Sequence, residues 1–261
     1  MIFGANLFKI ENQFAGNDDE RANDLQEMID NNDVKAIFCA RGGYGTARIV
    51  DKIDFSNLKN NPKWIVGYSD VTSLHTHLNN LQFSTLHATM PINIPLNTKS
   101  SLDSLYACLF ENSNSISCAS HLLNKEGVVS GEIVGGNLSV IYSLIGSPSD
   151  LETDNKILFL EDLDEYLYHI DRMILNLKRN KKFSKLKGLI VGRMESMHDN
   201  TISFGKTANE IIHEHTKEFN FPICFEFPSG HIENNSPLIF GKNTLLKIEK
   251  TFKTIKTIIF N

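Results

Sequence analysis

The chain has no basic excess, no long apolar run and no paired cysteines, and each lack removes a class of function. Its 26 Lys and Arg are outnumbered by 31 Asp and Glu, giving a formal net charge of −5. A surface of that sign cannot neutralise a phosphate backbone, which argues against a nucleic-acid partner. No stretch approaches the roughly 20 apolar residues that cross a bilayer. No basic segment followed by an apolar one stands at the start, so neither a membrane span nor a secretory signal is read. The four cysteines, Cys39, Cys108, Cys118 and Cys224, are scattered, and none forms a C-x-x-C pair. That disfavours a disulfide framework or a structural zinc site and points to a reducing, cytoplasmic compartment. What is present suits a globular protein with a real core: 261 residues, 41% hydrophobic and 22% charged. That is enough for one large domain or two smaller ones.

Helical and extended patterns alternate along the first third. Ala22, Leu25, Met28 and Ile29 recur at helical spacing. Residues 35–40 read as a buried strand ending at Arg41-Gly42-Gly43, and 46–53 as a helix. Asn60-Asn61-Pro62 breaks the chain before a strand at 64–68, and Val71, Leu74, Leu78 and Leu81 give the next helix its core face. This order predicts an α/β fold with a parallel sheet. Residues 96–125, rich in Ser and Asn, read as a connection with one helical patch at 102–110. Beyond it come a strand at 128–134, Gly135-Gly136-Asn137 opening a helix, and a strand at 156–160. A helix at 166–177, a strand at 188–192, a helix at 204–218 and short strands from Pro222 complete the pattern.

Three strand ends carry polar groups. The run Trp64-Ile65-Val66-Gly67-Tyr68-Ser69-Asp70 passes straight into a helix, which sets a serine at a strand-to-helix turn. Glu161 ends Ile157-Leu158-Phe159-Leu160, and His231 follows the turn Pro228-Ser229-Gly230. A serine, an acid and a histidine are the parts of a hydrolytic triad: the hydroxyl needs a base, and the base needs a carboxylate to hold its tautomer. Singly, each has an ordinary reading. Ser69 or Asp70 serves as a helix N-cap, Glu161 belongs to a solvated acidic cluster with Asp162, Asp164 and Glu165, and His231 is a loop histidine. Gly42, Gly43 and Gly45 serve a tight turn, and that turn lacks the Lys-Ser/Thr of a phosphate loop. The pairs His75/His77 and His213/His215 stand at i, i+2 in predicted helices. That spacing turns them to opposite faces, so no metal is expected.

Together the segments are more specific than any one of them. They include Ala15-Gly16-Asn17-Asp18, Ala40-Arg41-Gly42-Gly43-Tyr44-Gly45, Gly67-Tyr68-Ser69-Asp70, Gly135-Gly136-Asn137-Leu138, Leu160-Glu161-Asp162, Ile170-Asp171-Arg172-Met173 and Gly230-His231. In this order the chain resembles the LD-carboxypeptidase family of serine peptidases. The resemblance implies Ser69 as nucleophile, His231 as general base and acid, and Glu161 as its orienting carboxylate. It implies an oxyanion hole from backbone N–H groups near Gly43 and of Asp70, with Arg41 and Asn137 as candidate substrate contacts. No cofactor is implied. The implied fold is an N-terminal parallel-sheet α/β domain, 1–97, a linker, 98–125, and a C-terminal β-rich α/β domain, 126–261, with the site in the cleft between them. The implied substrate is a peptide ending in a D-amino acid, as in peptidoglycan recycling, and the implied assembly a homodimer. An immunity peptidase acting on a toxic peptide-nucleotide is the rival within the family. A silent peptide-binding protein is the rival outside it. Two departures are mild: Tyr168-His169-Ile170 where the family has Tyr-Arg-Ile, and Gly146-Ser147-Pro148 where it has Gly-Thr-Pro. The family also opens with a strand and a helix before the region matching Ile2-Phe3-Gly4-Ala5-Asn6, and that unit is expected to be missing.

Overall fold

The computed structural model describes residues 1–111 and 115–249, and residues 258–260 as backbone. Helix α1 (Asp18–Asp30) opens on a capping box in which Asn17 and Glu20 satisfy each other's backbone N–H groups. Strands β1 (Ala36–Phe38) and β2 (Trp64–Gly67) follow, then α2 (Thr72–Asn80), β3 (Thr85–His87) and α3 (Lys99–Tyr106). The second half runs β4 (Gly127–Asn137), α4 (Leu138–Leu144), β5 (Ile157–Leu163), α5 (Leu167–Arg179), β6 (Gly188–Glu195) and α6 (Ala208–Thr216). It closes with β7 (Ile223–Cys224), β8 (Leu238–Phe240), β9 (Asn243–Ile248) and β10 (Ile258–Phe260).

Two sheets result. The first has order β1-β2-β3-β8, parallel except for β8. The second has order β10-β9-β4-β5-β6-β7, parallel from β4 to β7 and antiparallel at β9 and β10. The mixed α/β architecture expected from the sequence is therefore present, with one addition. Strand β8 comes from the second half yet pairs with β3 of the first sheet.

Side chains along β5 and β6 alternate between two cores, as a strand's period of two requires. Leu158, Leu160, Leu189 and Val191 face α5 and α6 with Met173, Ile174 and Ile211. Ile157, Phe159 and Ile190 face the other way, onto Phe227, Leu238 and Phe240. A third core packs Ile65, Leu74 and Leu78 with Ile29 and Val50.

Several local expectations need correction. Residues 46–53 form two 3-10 turns, Thr46–Arg48 and Val50–Lys52, not a helix. The β-branched Thr46, Ile49, Val50 and Ile53 lose side-chain freedom in a helix and so favour it weakly. Leu81 lies past the end of α2 and is 47% exposed. Gly135-Gly136-Asn137 both ends β4, in register with Phe159-Leu160-Glu161, and opens the helix α4, which Asn137 caps. The strand expected at 224–227 stops at Cys224, because Glu226 takes a left-handed φ of 59°.

Candidate active site

The turn after β2 is bent as a nucleophile turn should be. Ser69 has φ 64°, a region costly for a residue with a Cβ. It starts a 3-10 turn, Ser69–Val71, that runs directly into α2. The loop after β1 lies on this serine. A Cβ added at Gly42 would sit 2.8 Å from Ser69 Cβ and 3.0 Å from its Oγ, so only glycine fits. The two turns are tied by Asp70, whose carboxylate accepts from the Thr46 N–H at 2.8 Å and the Thr46 hydroxyl at 2.7 Å. Gly43 and the Asp70 backbone thus belong to adjoining turns at one sheet edge. Arg41 is exposed, and its Nε donates to the Gly42 carbonyl at 3.3 Å. Its guanidinium lies over Gly43.

The acid and the histidine come from the other half. Glu161 is fully buried inside β5, which runs on to Leu163 rather than ending at the acid as expected, and its Oε2 lies 2.7 Å from His231 Nδ1. A carboxylate there accepts, so Nδ1 carries the proton and Nε2 is left as the basic nitrogen. Glu165 points elsewhere, to His169 Nδ1 at 2.6 Å. The loop bearing His231 is pinned by Asn235, whose Oδ1 accepts from the Gly230 N–H at 2.9 Å. The imidazole meets the ring of Tyr68, the residue before Ser69, edge-on with centroids 4.8 Å apart. The geometry therefore brings the serine turn, the histidine and the acid to one place where the two halves meet.

Charge is tuned strongly here. Burial on its own would lower the His231 pKa, but the Glu161 hydrogen bond and the Glu161 and Asp162 charges raise it overall. Burial, helped by Glu161, pushes the Tyr68 hydroxyl up to about 12. Burial and then the Glu161 charge push Asp162 up to about 7.

Asn137 is placed differently from an open substrate contact. It is 3% exposed; its Nδ2 donates to Asp162 and its Oδ1 accepts from the Val140 N–H, capping α4. Three of the four histidines in the two pairs are hydrogen-bonded within the protein. His75 Nε2 lies 2.9 Å from the Gly67 carbonyl, His77 Nδ1 3.0 Å from Ser149 Oγ, and His215 Nε2 2.8 Å from Asp171. Among the described residues no group of three His, Cys, Asp or Glu is disposed to hold a metal ion.

Sequence reasoning missed several residues of the site. Thr46 holds the loop through Asp70, and Tyr68 flanks the imidazole. His87 is wholly buried between Tyr68, Phe159 and Phe240, and burial drives its pKa far below the ordinary range. Only Tyr68 and Thr46 had a signal, their closeness to Ser69 and Gly45. His87 stands in Thr85-Leu86-His87, which has no pattern to mark it.

Comparison with known proteins finds one family over most of the chain. A family model described as the LD-carboxypeptidase N-terminal domain matches residues 1–88, and one described as the LD-carboxypeptidase C-terminal domain matches 130–246. A Bacillus subtilis (strain 168) protein named "Probable murein peptide carboxypeptidase" is 42% identical over 246 residues, 91% of this chain and 76% of that protein. The crystal structure of muramoyltetrapeptide carboxypeptidase from Oxalobacter formigenes superposes with a TM-score of 0.87 at 26% identity, over 98% of this chain and 87% of that one. The microcin C7 self-immunity protein MccF shares the fold, with a TM-score of 0.84 at 22% identity over 98% and 85%.

Proposed function

Because the chain belongs to the LD-carboxypeptidase family, we propose that Ser69, His231 and Glu161 act as nucleophile, base and orienting acid of a serine carboxypeptidase. The observation that carries this reading is the buried Glu161–His231 pair, 2.7 Å apart and packed on Tyr68 beside the strained Ser69. The substrate is taken to be a murein tetrapeptide, cut between an L-centre and its terminal D-Ala. The names of the Bacillus and Oxalobacter proteins support that substrate.

The steps follow from the roles. Ser69 Oγ attacks the scissile carbonyl carbon while His231 Nε2 takes the hydroxyl proton. The oxyanion is received by the backbone N–H groups of Gly43 and Asp70, which cost no reorganisation when charge develops. The imidazolium, held by Glu161, gives its proton to the amine of the leaving D-residue. Water then attacks the acyl-enzyme, His231 takes its proton, and the shortened peptide leaves with Ser69 restored. Arg41, charged and exposed beside Gly43, is taken as the group that receives the terminal carboxylate. No metal or cofactor enters these steps. The reading includes residues 1–97 and 126–261 as the two domains joined by 98–125. It also includes a homodimer in the cytoplasm, where Cys39, Cys108, Cys118 and Cys224 would stay reduced.

The test is release of D-Ala from a murein tetrapeptide by the purified chain, alongside Ser69→Ala and an all-L diastereomer. Ser69→Ala is expected to lose roughly 10³-fold or more in rate while staying folded. The all-L peptide is expected to be inert, since inverting one centre misplaces the scissile carbonyl once the carboxylate is seated. A folded Ser69→Ala variant with near wild-type turnover would overturn the reading.

A further inference from the structure

Asp162 is next to the acid of the site, yet the steps above do not use it. It is 1% exposed. Its neighbour Glu161 turns toward His231, and Asp162, on the opposite face of β5, turns toward the start of α4. There its carboxylate accepts from three donors. Oδ1 takes the Asn137 Nδ2–H at 2.8 Å and the Leu163 N–H at 2.9 Å, while the Ser139 hydroxyl gives its one proton to Asn137 Oδ1 at 2.8 Å. Oδ2 takes the Ser139 N–H at 2.9 Å. Donors thus meet both carboxylate oxygens, an arrangement that favours the ionised form.

The network then crosses between the halves. The Asn137 N–H donates to Thr72 Oγ1 at 2.9 Å. Thr72 is fully buried and is the first residue of α2, three positions after Ser69. The approach is close enough that a Cβ on Gly136 would lie 2.4 Å from Thr72 Oγ1. One continuous path therefore links the helix that carries the serine turn to the strand that carries the acid: Thr72, Asn137, Asp162, Glu161.

We propose that Asp162 is a positioning residue whose ionised carboxylate, through Asn137 and Thr72, sets the serine-bearing helix against the Glu161–His231 pair. This rests on the serine-carboxypeptidase reading and adds a second ionisation to it. The charged and titratable groups facing Asp162 are the Glu161 and Glu165 carboxylates and the His231 imidazole. From α2 and α4 it meets only uncharged partners: Thr72 through Asn137, and Ser139. Its ionisation is therefore resisted, chiefly by burial and then by Glu161, and falls at about 7. Activity requires Asp162 ionised and His231 neutral, and both conditions fail as pH drops. The acid limb of kcat/KM should then fall with two protons rather than one.

Asp162→Asn keeps one acceptor oxygen but sets an NH2 against donors on the other side, either Asn137 Nδ2 and the Leu163 N–H or the Ser139 N–H, so the network is broken at one oxygen without loss of volume. The expected result is a fall in kcat of roughly 10- to 100-fold, with KM little changed, because geometry rather than binding is disturbed. The acid limb should fall to one proton, and its midpoint should move to lower pH, since a negative charge near His231 is gone. Thr72→Ser keeps the hydroxyl and should retain kcat, whereas Thr72→Val should lose it as Asp162→Asn does. Ser69→Ala measured in parallel separates the two claims. An inactive Ser69→Ala with a folded Asp162→Asn of wild-type kcat and a two-proton limb overturns only the role of Asp162. Equal kcat in folded Thr72→Ser and Thr72→Val does the same. An active Ser69→Ala overturns the serine reading itself. If Asp162→Asn proves unfolded, the Thr72 pair decides.

Discussion

The two sheets are built to different standards. The first has strands of three or four residues, and its β1 stands at an open edge with Phe38 37% exposed. Beside that edge lies an apolar hollow of about 540 Å³ lined by Ile2, Phe3, Leu7, Ile37 and Ile94 among others. The second sheet has strands of up to 11 residues, with helices over one face and the first sheet against the other. The groups that depend on orientation, Glu161 and His231, are anchored in or against the thick sheet. The serine sits on the thin one, where local backbone strain and the Thr46–Asp70 tie hold it. The difference teaches that the place of Ser69 is set by a turn and a few hydrogen bonds, and that of Glu161 by a core.

That contrast can be broken most forcefully by truncating each sheet in turn. Leu189→Ala in β6 removes a fully buried side chain and should cost about 2–5 kcal/mol. Phe38→Ala at the open edge should cost under about 1 kcal/mol. Urea melts of both variants would check this, and equal losses would remove the distinction.

The pH response sharpens the comparison next. The His231 pKa is raised, so the acid limb of kcat/KM should have its midpoint above the ordinary histidine value of about 6.5. The stability sign is opposite. A raised folded pKa stabilises fully below the unfolded value and loses that contribution as pH rises through the folded one. Asp162, also raised, adds the same sign from its own unfolded value upward. Activity should therefore climb as pH rises past about 6.5 while melting temperature declines; parallel rises would contradict the assignment.

The least effect of all is expected from chelation. Extensive EDTA treatment should leave hydrolysis unchanged, and loss restored by zinc would end the serine mechanism.

Much of this architecture can be read from the residues, and the failures have physical causes. Ile170, Met173, Ile174 and Leu177 mark α5 by spacing, and all four are buried. The serine turn is visible because an apolar strand ends abruptly in Gly-x-Ser-Asp. Strand β3 is invisible because two of its three residues, Thr85 and His87, are polar and yet fully buried. Gly135 and Gly136 lead into α4 as read, but they also extend β4, where other chain segments approach too closely for any side chain. Asp162 hides for a different reason. In sequence it is one acid among four, and only the fold separates the buried Glu161 and Asp162 from Asp164 and Glu165 outside.

Strand β8 has a consequence for how the molecule is made. Residues 238–240 zip onto 85–87, so the first sheet cannot be finished while the ribosome is still adding the second half. Elements emerging early, including the Ser69 turn, must wait with a bare edge until nearly the whole chain is out. Such long-range pairing slows folding, because loop closure comes before any reward in contacts. The second sheet waits as well, since β4 pairs with β9 at 243–248, so a nascent chain of this protein would complete both halves only once its last strands are out. No partly synthesised peptidase would then be active.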